Sequence, residues 1–165
     1  MKWTQKWISA LSAALLFCMP LSAKNAADIS TADMYTIQVN GQYIDLSNLP
    51  MPPYEKDGVF MVPLRIIGEA LGYTVAWDPV SQAITIDDGI VQKATLYDGT
   101  ASVVFEGELQ VIDMSRTVEN AVPTVVYEGY TYVPLEFFQE YFNETAIMDT
   151  VITIAPQMCE LGNET

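Results

Sequence analysis

Val62-Pro63-Leu64-Arg65-Ile66-Ile67-Gly68-Glu69-Ala70-Leu71-Gly72 is the stretch on which the reading of this chain turns. Proline suits the first helical position, where its missing N–H is not needed, so Pro63 is expected to open a helix. Leu64, Ile67 and Leu71 recur at helical spacing and form one stripe, with Ile66 and Ala70 beside it. Burying each large aliphatic contributes about 1.5–3 kcal/mol. Gly72 falls where a helix stops on a left-handed residue. Arg65 and Glu69 are four apart, the spacing of a helical ion pair.

Upstream, residues 59–62 read as a short strand. Pro50, Pro52 and Pro53 make residues 47–54 a loop, because proline cannot donate to a ladder. Tyr35, Ile37 and Val39 alternate with polar neighbours, the period of a half-buried strand. Asn40-Gly41 then predicts a two-residue hairpin turn and a return strand over 42–46. Downstream, residues 73–77 and 83–86 read as two strands joined by the Asp78-Pro79 turn, with Trp77 expected in the core over the helix. Asp87-Asp88-Gly89 reads as a plain turn, since the spaced ligands and distal Glu of a calcium loop are missing.

Beyond Gly89 the pattern restarts. Strands are expected over 90–97, 101–105, 109–112, 124–127 and 130–133, with a turn at Glu106-Gly107 and a loop over 115–121. Pro134 is expected to open a second helix running to about Phe142, with Phe138 and Phe142 in the core, before a hairpin of 146–148 and 151–154. Gly58, Val62, Pro63, Leu64, Glu69 and Asp78 match Gly129, Val133, Pro134, Leu135, Glu140 and Asp149 at a constant offset of 71. Ile84-Thr85-Ile86 matches Ile152-Thr153-Ile154 at an offset of 68. Two tandem repeats follow from this, about 35–88 and 89–155, with a tail over 156–165. The expected fold class is α+β, an antiparallel sheet with one short helix per repeat.

The chain begins with Lys2 and Lys6, a run over 7–21 that is apolar apart from Ser9 and Ser12, and then Ser22-Ala23. That is a secretory signal, with cleavage expected after Ala23 and a flexible leader over 24–34. The run of about 15 residues is short for a spanning helix, which needs about 20. An uncleaved anchor is the alternative, and so is lipid attachment at Cys18, which the bulky Phe17 opposes. Without residues 1–23, five basic residues face 21 acidic ones, a net charge of −16. Such a surface repels nucleic acid and anionic lipid, so neither nucleic acid nor membrane is an expected partner of the mature chain. Cys159 is then the sole cysteine, and no intrachain disulfide can form.

The motif over 62–72, followed by Val75-Ala76-Trp77-Asp78 and Ile84-Thr85-Ile86, resembles the copper amine oxidase N-terminal-like, or stalk, domain. The resemblance covers about residues 35–155. Its second copy departs from the motif, with Glu136 in place of Arg65, Asn143 of Gly72 and Met148 of Trp77. It implies an exported bacterial module with an attachment role and no catalytic residues. It implies no copper here, because in the oxidases the metal and the modified tyrosine belong to a different, larger domain.

The residues agree with that expectation. The chain has no histidine, which removes the imidazole ligands of copper and the Ser-His and Cys-His nucleophile systems. Carboxylates remain, and Glu69 with Glu140, at matching helix positions, are the pair a glycan hydrolase would use. Arg65 beside Glu69 favours a simple ion pair. Aromatic side chains are the better binding lead. Tyr127, Tyr130 and Tyr132 flank one hairpin and form a candidate ligand platform. Pro63, Leu64, Arg65, Glu69, Gly72, Trp77, Asp78, Pro134, Leu135 and Glu140 are structural motif positions. The expected protein is a secreted or wall-associated, non-catalytic envelope module without cofactor or metal, binding cell-wall glycan or an envelope protein. The alternatives are a carboxylate-dependent wall or glycan hydrolase, and a secreted inhibitor or regulator of an envelope enzyme.

Overall fold

A computed structural model describes residues 35–107 and 114–157. The expected signal and leader, the strand expected over 109–112, Cys159 and the end of the tail lie outside the described residues. The chain forms β1 (Thr36–Val39), β2 (Gln42–Tyr43), β3 (Tyr54–Lys56), β4 (Val59–Pro63) and α1 (Leu64–Leu71). It continues with β5 (Thr74–Trp77), β6 (Ile84–Asp87), β7 (Gln92–Leu96), β8 (Ser102–Gly107) and β9 (Ser115–Glu119). Then come β10 (Val125–Tyr127), β11 (Tyr130–Pro134), a 3-10 helix Leu135–Tyr141, β12 (Asn143–Met148) and β13 (Val151–Gln157).

The expected class is corrected by this architecture. The described residues are mostly β, in three sheets rather than one antiparallel sheet carrying a helix per repeat. One sheet runs β12-β13-β1-β2, a second β10-β11-β4-β3, and a third is the meander β5-β6-β7-β8-β9. The first is not purely antiparallel, because β1 and β13 run parallel, with Ile37 beside Ile152 and Val39 beside Ile154. Nor are there two α-helices among the described residues. The segment after Pro134 is a 3-10 helix that buries Leu135, Phe137, Phe138 and Tyr141. Leu135, Phe138 and Tyr141 recur every third residue, the period at which a 3-10 helix stacks side chains on one face. Residues 115–119, expected as loop, form the edge strand β9.

Glu106-Gly107, expected as a turn, ends β8, the return strand expected over 42–46 is Gln42–Tyr43 alone, and Tyr54, expected in a loop, starts β3. Asn40 and Gly41 both have positive φ, 52° and 78°, and turn β1 into β2. Pro63 precedes α1 in an extended conformation, so the helix starts one residue later than the sequence suggests. Gly72 ends it at φ 90°, its N–H bonded to the Glu69 carbonyl, while the Tyr73 N–H returns to Gly68. Asp78 accepts from the Val80 N–H and the Ser81 hydroxyl and closes its turn. Gly68 lets α1 lie against the third sheet, since a Cβ there would come within 3.0 Å of Val75 and 3.1 Å of Ile86.

One apolar core joins all three sheets, with Ile37, Val62, Leu64, Ile67, Ile86, Phe105, Phe137 and Ile152 inside it. The centre is the antiparallel contact of β4 with β11, where Val62 sits opposite Val133 and both face this core. On the reverse side of the same strands, Met61, Tyr132 and Val122 form a second, smaller cluster. Trp77 corrects its expectation. It lies on the inner face of the third sheet but at the edge strand β5, and is 57% exposed. An edge position leaves one flank of a large ring without a neighbouring strand.

Candidate functional site

Two open grooves mark the described surface. The larger, about 560 Å³, lies over the first sheet and is lined by polar side chains such as Gln38, Asn40 and Glu144. Three of its amides are already engaged, Gln38 with the Gly41 carbonyl, Gln139 with the Thr145 hydroxyl and Asn143 with the Ala155 carbonyl. The smaller, about 420 Å³, is predominantly apolar and has the features of a binding site.

Phe105 of β8 forms the floor of this smaller groove and belongs to the core. Arg116 of β9 stands opposite it in register, and its guanidinium covers the ring at 4.6 Å from the centroid. The same guanidinium donates to the Glu140 carboxylate and, at 3.2 Å, to the Glu140 carbonyl. That carbonyl also accepts from the Gln92 amide. Arginine is thereby held on three sides, and its charge is matched within the site. Val91, Met114 and Phe142 complete the apolar wall, with Met114 65% and Phe142 59% exposed.

Phe142 was expected in the core. It caps the 3-10 helix in the left-handed region at φ 59°, its N–H bonded to the Gln139 carbonyl. The motif places Asn143 against Gly72, but the second helix stops one residue earlier, so a phenylalanine takes the position that suits glycine. A left-handed conformation costs a bulky residue about 1–2 kcal/mol. Opposite effects are therefore expected at the two caps. Gly72→Val should destabilise by about 1 kcal/mol or more, and Phe142→Gly should stabilise by up to about 1 kcal/mol. Urea unfolding of both variants checks this, and equal signs would contradict the cap geometry.

The tyrosine platform is not assembled as one open face. Tyr130 and Tyr132 share a strand face, as period two requires, and it points into the smaller cluster. Tyr132 is fully buried and donates to the Met51 carbonyl at 2.6 Å. Burial pushes its phenol up to about 12 against the opposing pull of that bond. Tyr130 is half-buried and donates to the Asn48 carbonyl, while Tyr127 is 45% exposed.

Glu69 pairs with Arg65 at 3.6 Å on the exposed side of α1, as the spacing suggests. Arg65 also donates to the Val75 carbonyl and ties α1 to β5. Glu140 belongs to Arg116 instead, so each carboxylate is held by its own arginine. Pro63, Leu64, Pro134 and Leu135 are buried where the two strand-to-helix corners meet. The residues that build the groove were not legible as a site. Arg116 lies in a polar stretch without periodicity, and Glu140 is 24 residues away from it. The one available signal was the scarcity of basic residues, which makes each remaining arginine worth placing.

The copper amine oxidase N-terminal domain family model matches residues 38–152. The chain belongs to this family. The N-terminal domain of copper amine oxidases is a non-catalytic accessory domain. The imidazole-bound copper of the oxidases does not fit the residues present. The chain has no histidine, and among the described residues no three Cys, Asp or Glu side chains gather as a metal site. Over 129 residues this family member is 27% identical to a protein named "Protease inhibitor" from Brevibacillus choshinensis. The match covers 77% of this chain and 36% of the relative, so the chain spans little more than a third of that relative's length. No solved structure matches it. Among the described residues no helix is long and apolar enough to cross a membrane.

Proposed function

We propose that this protein is an exported, non-catalytic module that docks onto an extracytoplasmic protein through the groove between Phe105 and Phe142, and that it regulates or inhibits that partner. The observation carrying this reading is the groove itself. It is an open apolar wall containing a strained, exposed aromatic residue beside an ion pair whose charges are already matched. Strain of this kind persists where surrounding structure enforces it, and it clusters at binding sites. Aromatic anchors and arginine are the side chains that dominate protein interfaces.

The sequence over 1–23 supports export. The accessory role of the family's N-terminal domains supports a non-catalytic module. The name of the Brevibacillus choshinensis relative supports inhibition, with a peptidase as the partner class. A glycan hydrolase has the least support, because Glu69 and Glu140 are each engaged by an arginine. We further read the two halves, about 35–88 and 89–155, as copies of one unit. The antiparallel meeting of β4 with β11, each following a hairpin turn and leading into a helix, supports that reading.

The test is affinity capture from envelope extract on the protein purified after export, beside Phe142→Ser, with cell-wall sacculi run in parallel. A captured protein that is lost with Phe142→Ser is the expected result, followed by assay of that partner's activity with and without the module. Retention on sacculi alone would move the reading to wall glycan. Capture unchanged by Phe142→Ser would remove the groove as the docking surface.

A further inference from the structure

Every open sheet has edges, and unpaired main-chain groups on an edge are a template for another strand. Most edges of this protein are blunted. Strand β2 has two residues, and β3 and β10 have three each. Strand β12 carries a register shift between Asn143 and Thr145. Strand β5 is covered by α1, whose Arg65 occupies the Val75 carbonyl at 2.9 Å.

Strand β9 is different. Its five residues pair with β8 without a bulge, Ser102 beside Glu119 through Glu106 beside Ser115. The Gly107 N–H bonds to the Met114 carbonyl and the Asn120 N–H to the Ala101 carbonyl. In an antiparallel ladder, bonded pairs alternate with unbonded ones. Residues 114, 116, 118 and 120 therefore turn their main-chain groups toward β8. Ser115, Thr117 and Glu119 turn theirs outward, and among the described residues no hydrogen bond reaches those groups. The apolar groove starts at this same edge, with Met114 and Arg116 as its border.

We propose that β9 is a strand-addition site for an extended, basic segment of the partner protein. This deepens the docking reading and rests on it. The added strand bonds to Ser115, Thr117 and Glu119. Its alternate side chains fall on the Arg116 face, where an apolar one enters the groove against Met114 and Phe142. The side chains between them fall on the Glu119 face. Charge selects the occupant. The chain carries 21 acidic residues against 7 basic ones, and Arg116 is matched by Glu140. Among the described residues Glu119 joins neither ion pair, so a Lys or Arg opposite it is favoured.

Random linear peptides displayed on phage, selected on the protein purified after export, test this directly. Selected sequences should alternate apolar residues with at least one Lys or Arg, and their affinity should fall as salt rises. Thr117→Pro removes one outward N–H without touching the β8 ladder, so the fold should survive, as circular dichroism would show. Binding should weaken at least tenfold with Thr117→Pro and likewise with Phe142→Ser, which spares the edge. Failure to enrich any peptide, or equal binding of the enriched ones to Thr117→Pro, overturns the proposal. An envelope protein captured equally by wild type and Thr117→Pro would also overturn it, while leaving groove docking intact.

Discussion

Phe137→Ala should destabilise the protein by about 3–5 kcal/mol, the usual cost of removing a buried phenylalanine. Phe137 is fully buried in the 3-10 helix. Its ring lies 5.9 Å from Phe105, 5.5 Å from Phe138 and 5.6 Å from Tyr141. Truncation would open a cavity where the helix meets the third sheet, and rigid rings around it cannot collapse to fill the space. A domain of this size is typically stable by about 5–15 kcal/mol, so about a fifth or more of the total is at stake. Urea denaturation should show a much lower midpoint at unchanged slope. A loss below about 1 kcal/mol would mean that the aromatic cluster does not couple the helix to the sheet.

Asp88→Ala should cost about 3 kcal/mol, because it orphans four donors at once, one buried and three partly buried. Asp88 is 8% exposed. One carboxylate oxygen accepts from the N–H groups of Ile90 at 2.9 Å, Val91 at 2.8 Å and Gln92 at 3.0 Å. The other accepts from the Gln157 amide at 2.8 Å, which pins the end of β13 to the β6–β7 turn. Burial pushes this carboxyl up, but the Gln157 side chain and the three N–H groups together hold it below 3.8. A carboxyl depressed in the folded state stabilises above its unfolded pKa. That stability is present above about pH 4 and fades as pH falls through the folded value. Asp88→Asn keeps an acceptor for the N–H groups but sets its own amide against Gln157. It should cost less than alanine and flatten the acid limb of a stability-versus-pH curve. An acid limb identical to wild type would show that Asp88 does not set it.

The effect of the groove variants is expected to run the other way. Phe142 can be replaced at a gain in stability and a loss of binding, whereas Phe137 and Asp88 hold the frame on which the groove is built. Phe137 and Phe142 are five residues apart and chemically identical, and the sequence did not tell them apart. Both stand in the same aromatic run, and only the end of the helix after Tyr141 turns one inward and the other out.

What the sequence determined by itself was local. Pro63, the Leu64-Ile67-Leu71 stripe and Gly72 specified a helix and its stop, because proline geometry, helical period and left-handed backbone act within a few residues. Asn40-Gly41 specified a hairpin for the same reason, and the absence of histidine removed the imidazole ligands that the copper of the oxidases needs. The tertiary structure alone decided the rest. The parallel seating of β1 on β13 joins segments more than 100 residues apart by the fit of Ile37 and Val39 to Ile152 and Ile154. Strand β9 is held by its neighbour β8 and not by any apolar alternation of its own, so Ser115–Glu119 looked like loop. The Arg116–Glu140 pair and the groove beside it exist because that strand and the 3-10 helix are brought against Phe105. Local rules act through backbone conformation, but a site is made where distant surfaces meet, and that meeting depends on packing that no single segment encodes.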